Sequence, residues 1–179
     1  MVDEKALVQQ CQSGDNGACE RLFLHFRQRA YLLALQLTGH KEDALDICQD
    51  SFTKVFSKMA SFDKKRSFLP WLLTIVRNSA FDVLRQKKKE KTYPLDKAED
   101  LPSTAAGPAE QLEANERKSR LRQALSKLEA GPREIILLKD FHGLSYKDIA
   151  LVLEVPIGTV MSRLHSARQA LKRALEVNE

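Results

Sequence analysis

The sequence predicts an all-α protein made of two small helical domains joined by a flexible linker. Three observations carry that expectation. Apolar residues recur at three-and-four spacing along most of the chain, which gathers them on one face of a helix. No stretch alternates apolar and polar residues as a half-buried strand would. Between Thr92 and Pro108 the periodicity stops: Tyr93-Pro94, Leu101-Pro102 and Gly107-Pro108 lie among Asp, Glu, Ser, Thr and Ala, a composition that favours neither helix nor strand. The expected division is a first domain over 1–91, an acidic linker over 92–112 and a second domain over 113–179.

A first short helix is expected from about Asp3 to Ser13, opened by Asp3 as its cap and stopped by Gly14. A second covers about Asn16 to Leu37, with Leu22, Phe23, Phe26, Ala30, Leu33 and Leu37 on one face and Thr38-Gly39 at its end. A third runs from about Lys41 to Met59 on Ala44, Ile47, Cys48, Phe52, Val55, Phe56 and Met59. Ser61 to Arg66 is too polar and charged for core and reads as a loop. A fourth helix extends from Ser67 to about Lys89, with Pro70 tolerated in its first turn. Beyond the linker, helical periodicity returns from Glu110 to about Leu128 and again over Pro132–Phe141, Ser145–Leu153 and Ile157–Val177.

Composition narrows the class. A chain of 179 residues with 43% hydrophobic and 30% charged residues is neither disordered nor a membrane protein. The start Met1-Val2-Asp3-Glu4-Lys5 has no apolar signal core, so a cytoplasmic protein is expected. The net charge of +5 is too small to argue for nucleic acid by itself. Its distribution says more: Lys64-Lys65-Arg66 and Arg85 with Lys87-Lys88-Lys89 and Lys91 form basic blocks, whereas acids gather from Asp96 to Glu116. Cys11, Cys19 and Cys48 make an odd count without a Cys-x-x-Cys pair, so neither a disulfide framework nor a zinc site is expected in a reducing cytosol. No nucleophile–base pair or glycine-rich phosphate loop marks an enzyme, and no cofactor is expected.

The strongest local signal lies between Gly143 and Leu164. Ser145 is a helix cap with Asp148 at the acidic third position of its turn. Ala150 is small where two helices would cross, and Ile149, Leu153, Val160 and Leu164 supply apolar faces to lock them. After the Glu154-Val155-Pro156 turn, the next helix opens on small residues, Gly158, Thr159 and Ser162. Free N–H groups at such a start accept a phosphate, and small side chains let the backbone approach it. Thr159 and Ser162 can donate, Arg163 and Arg168 add charge, and His165 and Ser166 follow on a face suited to the major groove. The segment reads as a helix-turn-helix.

Leu144-Ser-Tyr, Ile149-Ala150, and Pro156-x-Gly158-Thr159-Val160-x-Ser162-Arg163-Leu164-x-x-Ala167-Arg168 resemble region 4 of the extracytoplasmic-function (ECF) sigma factors, group 4 of the sigma-70 family. Arg133-Glu-Ile-Ile-Leu-Leu138 is similar to the helix before it. The resemblance implies binding of the promoter's minus-thirty-five element and of the polymerase flap. Glu154 stands where many relatives have Gly, and Met161, His165 and Ser166 stand where they often carry Arg or aromatic residues. Those departures bear on which bases are read, not on the fold.

The first domain also carries the resemblance. Asp43 to Phe52 is similar to region 2.2, and by that likeness Asp46, Gln49, Asp50 and Phe52 would meet the clamp helices of the polymerase largest subunit. Asp46, Gln49 and Asp50 sit at three-and-four spacing as one polar stripe. Phe62 to Asn78, followed by Asp82 and Arg85, resembles the minus-ten-reading region. Melting needs a place to hold an extruded base and positive charge along the displaced strand. Phe62 and Phe68 around Lys64, Lys65 and Arg66 offer both; Phe68 also suits anchoring the loop, and Trp71 suits core as well as stacking. Arg77 and Asn78 suit a base edge, and Arg85 with the following lysines the phosphate backbone.

The expectation is therefore a non-enzymatic ECF-type sigma factor that directs core RNA polymerase to promoter DNA. The family implies an anti-sigma partner, and the free chain is expected to be monomeric. The family also implies that the acidic linker threads toward the active-site channel. The alternative is a stand-alone helix-turn-helix regulator with an N-terminal sensor or dimerisation module. It gives the aromatic-basic loop and the Asp46/Gln49/Asp50 stripe no purpose.

Overall fold

The computed structural model describes residues 3–90 and 119–176. The linker over 92–112, Lys91 and the first part of the helix expected from Glu110 lie outside them. The chain divides into two compact units, Met1–Glu99 and Asp100–Glu179, and the described residues form helices and turns without a strand.

The first unit has four helices: α1 (Glu4–Gln12), α2 (Asn16–Thr38), α3 (Lys41–Ser57) and α4 (Phe68–Glu90). Asp3 caps α1 by accepting from Ala6 N–H at 3.1 Å, and Asp15 caps α2 by accepting from Ala18 N–H at 3.0 Å. Gly14, at φ +92°, takes the left-handed conformation that turns α1 back onto α2. Helices α2, α3 and α4 pack on one another around Leu22, Phe26, Leu33, Ile47, Val55, Leu72, Leu73 and Val76. The third helix ends at Ser57 rather than Met59, and Met59–Ser61 tightens into a 3₁₀ turn that buries Met59.

One sequence expectation fails here. Cys11 and Cys19 are joined by a disulfide, with Cα atoms 4.9 Å apart. Their eight-residue separation spans the end of α1, the Gly14 reversal and the start of α2, so the hairpin brings them face to face. Cys48 is a buried free thiol, and burial pushes its pKa up.

The second unit has a helix described over 119–126 (α5), then α6 (Ala130–Ile136), α7 (Tyr146–Leu153) and α8 (Ile157–Glu176). The helix expected over Pro132–Phe141 is α6 continued by a wider π turn, Leu137–Phe141, closed by His142 N–H on Leu137 O at 3.0 Å. Ser145 and Asp148 form a reciprocal capping box at α7. Ile135, Leu138, Ile149, Val160 and Leu164 form the core, with Val152 more deeply buried than the expected Leu153. Glu154 ends α7 at φ +54°, the left-handed position that its place in the turn foretold.

Candidate nucleic-acid interface

Helix α8 presents two opposite faces. Val160, Leu164 and Ala167 point into the core. At 100° per residue, Gly158, Met161, Ser162, His165, Ser166 and Gln169 share the opposite face, and all are exposed. Pro156 is exposed in the turn before it, Thr159 is half-buried, and Arg163 and Arg168 flank the stripe. A Cβ added at Gly158 would meet nothing within 4 Å, so the fold does not require glycine there. Its small size matters only to something approaching from outside. Ser162 already donates its hydroxyl to Thr159 O at 3.1 Å, so toward an outside group it is an acceptor rather than the expected donor. His165 Nε2 and Gln169 Nε2 lie 2.9 Å apart, linking two base-edge candidates.

The cations are more occupied than their spacing suggested. Arg168 is held by Asp140 of the π turn, Arg85 by Asp82 at 3.2 Å, and Arg66 lies 3.9 Å from Asp63. Lys87 reaches Asp43 at 2.7 Å, tying the last turn of α4 to the first turn of α3. Lys64 and Lys65 are exposed in the loop, whose turn is set by Lys65 N–H on Asp63 Oδ1 at 2.9 Å.

Burial favours the anchoring and core readings of Phe68 and Trp71 over stacking, and departs from expectation at Phe62 and Phe52. Phe62 is 7% exposed and Phe68 0%, so neither offers a ring to an extruded base. Phe62 stacks on Trp71 with centroids 4.5 Å apart, and Phe68 packs edge-on against both and at a tilt against Phe26, 5.1 Å away. The cluster anchors both ends of the basic loop. Phe52, expected at a polymerase surface, is 3% exposed and packs edge-on with Phe23 at 4.9 Å. Asp46, Gln49 and Asp50 are exposed as expected, beside Leu45, which is 54% exposed. That leucine escaped the sequence reading because its neighbours look polar; an exposed leucine bordering an acidic stripe is the signal that marks it.

The outer face of α4 carries Trp71, Thr74, Asn78, Phe81 and Arg85. Arg77 lies with its guanidinium 4.9 Å from the centroid of the Phe81 ring and donates to Asn78 Oδ1 at 3.3 Å. Asn78 is exposed. Among the described residues no group of three His, Cys, Asp or Glu side chains is placed to hold a metal, and no helix is long and apolar enough to cross a membrane.

Comparison with known proteins bears on this arrangement. Residues 22–90 match the family model of sigma-70 region 2, and residues 118–171 that of sigma-70, region 4. The chain is 28% identical to the ECF RNA polymerase sigma factor SigW of Bacillus subtilis, covering 96% of each chain. It is 33% identical to the RNA polymerase sigma factor YlaC of the same species, over 86% of this chain and 90% of that one. Among solved structures, the sigma factor RpoE of Bartonella quintana, in complex with the anti-sigma factor NepR, matches with a TM-score of 0.74 and 27% identity, over 89% of this chain and 98% of that one.

Proposed function

The chain belongs to the ECF sigma factors of the sigma-70 family, and on that premise we propose how its two units divide promoter recognition. It acts with core RNA polymerase in the cytoplasm as a transcription initiation factor and catalyses no reaction of its own. The Asp46, Gln49 and Asp50 stripe, with Leu45, docks on the polymerase clamp helices. The basic loop and the outer face of α4 hold the melted minus-ten strand. The α8 stripe enters the major groove of the minus-thirty-five element. An anti-sigma protein covers these surfaces when the factor is silent, a reading supported by the RpoE–NepR likeness.

The observation that carries this reading is the pairing, in one chain and in family order, of a region 2 unit with an exposed acidic stripe and a region 4 unit with an exposed recognition face. Neither unit need bind tightly by itself, because joining both to polymerase raises the effective concentration of each at its own element. Transcription in vitro with purified core polymerase on a genomic fragment library tests it. Core binding and a limited set of promoter-specific transcripts are expected; a chain that leaves core polymerase unable to start at any promoter overturns it.

A further inference from the structure

Helix α1 braces the basic loop. Glu4 in its first turn accepts from the Phe68 N–H through Oε1 at 2.9 Å. Gln12, its last residue, donates from Nε2 to Met59 O at 2.9 Å and Phe62 O at 2.8 Å. These bonds hold both ends of residues 59–68, the segment that carries Lys64, Lys65 and Arg66 into solvent. The brace is secured by the buried Leu7 and Val8 and by the bond from Cys11, next to Gln12, to Cys19 in the first turn of α2.

We propose that Cys11 and Cys19 are a reversible thiol–disulfide site, oxidised by a low-molecular-weight disulfide, whose closure fixes the α1 brace and thereby the basic loop. A disulfide in a protein that works beside RNA polymerase sits in a compartment that keeps thiols reduced, where such bonds are transient and redox-sensing rather than permanent. Access to the two sulfurs is unequal. Cys11 is 6% exposed, whereas Cys19 is half-buried and open to a small reagent.

That inequality orders the chemistry. The Cys19 thiolate attacks one sulfur of the oxidant, forming a mixed disulfide and expelling the oxidant's other half as a thiolate. Cys11, deprotonated in turn, attacks the Cys19 sulfur, forms the Cys11–Cys19 bond and expels the second thiolate. The two protons given up by the cysteines end on the two expelled thiols. The chain's dithiol loses two electrons and the oxidant gains them. Cys48 stays out of the exchange, buried in α3 with its thiol directed to Arg27 O at 3.7 Å.

With the bond closed, Gln12 cannot leave Met59 and Phe62 without dragging the start of α2. With it open, α1 is held to α2 by its apolar face and the exposed Arg21–Gln10 bond at 3.3 Å, and it frays more readily, loosening both loop anchors. The consequence for promoter melting rests on the function proposed above; the brace and its redox closure do not.

The test equilibrates the full chain in glutathione buffers from reducing to oxidising, traps thiols by alkylation and locates them by mass spectrometry. Amide hydrogen exchange then compares the two end states of the same sequence, and open-complex rates with core polymerase follow. Expected are a reversible Cys11–Cys19 bond and exchange over residues 59–68 slowed by about threefold or more on oxidation. A preformed loop should also form open complexes roughly two- to tenfold faster. The Cys11→Ser/Cys19→Ser double variant should match the reduced form in every buffer. A dithiol that persists in the most oxidising buffer, or equal exchange over 59–68 in both forms, overturns the proposal. Equal open-complex rates overturn its extension to melting. Slowed exchange without transcription from either form leaves the brace standing and removes the sigma reading instead.

Discussion

Arg168 on α8 grips Asp140 of the π turn with two nitrogens, Nη2 standing 2.5 Å from Oδ1 and Nε 3.3 Å from Oδ2. The hydrogen bond to Asp140 holds the guanidinium pKa above its ordinary value. On the proposed function, a cation engaged this way would meet DNA already partnered. The pair ties α8 to the π turn that precedes α7, and it offsets one positive charge at the flank of the exposed α8 face.

Replacing that carboxylate by its neutral isostere should release Arg168. Asp140→Asn is expected to tighten binding to duplex of arbitrary sequence and to steepen the salt dependence by about 0.9 log unit per log unit of salt, the slope of one added phosphate contact. Both partners are substantially exposed, so the stability cost should stay within about 1 kcal/mol. Fluorescence anisotropy of the full chain on labelled duplex across a salt series measures the slope. An unchanged slope would place Arg168 away from the phosphates whether paired or not.

The buried aromatic cluster makes a contrasting prediction. Phe68→Ala should cost the first unit about 3–5 kcal/mol, the usual loss for a fully buried phenylalanine, seen as a lowered denaturant midpoint. Lys64→Ala should shift that midpoint by less than about 0.5 kcal/mol while slowing promoter melting. If Phe68→Ala instead left stability intact and impaired melting, its ring would be serving DNA rather than core.

Much of this was legible in the residues because helical periodicity is local. Leu22, Phe26 and Leu33 declare the buried face of α2, and Ser145 with Asp148 declares the start of α7. What escaped depends on partners far along the chain. Spacing cannot tell that Arg168 meets Asp140, 28 residues away, or that Lys87 meets Asp43, 44 residues away. Phe62 stands beside lysines in sequence, but a loop has no period to reveal which side chains turn inward. Leaving Cys11 and Cys19 unpaired followed from reasoning about compartment, whereas the hairpin geometry at Gly14 is what joins them.

The helix-turn-helix carries two local tests of opposite sign. Ser145→Ala removes the acceptor for Asp148 N–H and should destabilise the second unit by about 1 kcal/mol. Glu154→Gly relieves a left-handed side-chain residue at φ +54°. The relief outweighs the added freedom of the unfolded chain, so a gain of roughly 0.5–1 kcal/mol is expected. Thermal unfolding of the two variants checks both signs. A destabilising Glu154→Gly would mean that the Glu154 side chain stabilises the turn through something other than its backbone.

Asn78 offers the sharpest separation of docking from melting. It is exposed on the outer face of α4, and its carbonyl oxygen accepts from Arg77 at 3.3 Å. That bond orients the amide and leaves its N–H₂ to donate to an acceptor on a base. Asn78→Ala should therefore keep the fold and the affinity for core polymerase. It should slow open-complex formation by about 5- to 150-fold, the factor matching the ~1–3 kcal/mol of a good base-edge contact. Permanganate reactivity of unpaired thymines follows the opening. A template carrying a preformed bubble at the minus-ten element distinguishes the two ways of losing activity: if Asn78 serves strand separation, the bubble restores the variant toward the wild-type rate, and if it serves only to hold the separated strand, the defect persists. Opening at the wild-type rate on intact duplex would remove Asn78 from the interface altogether.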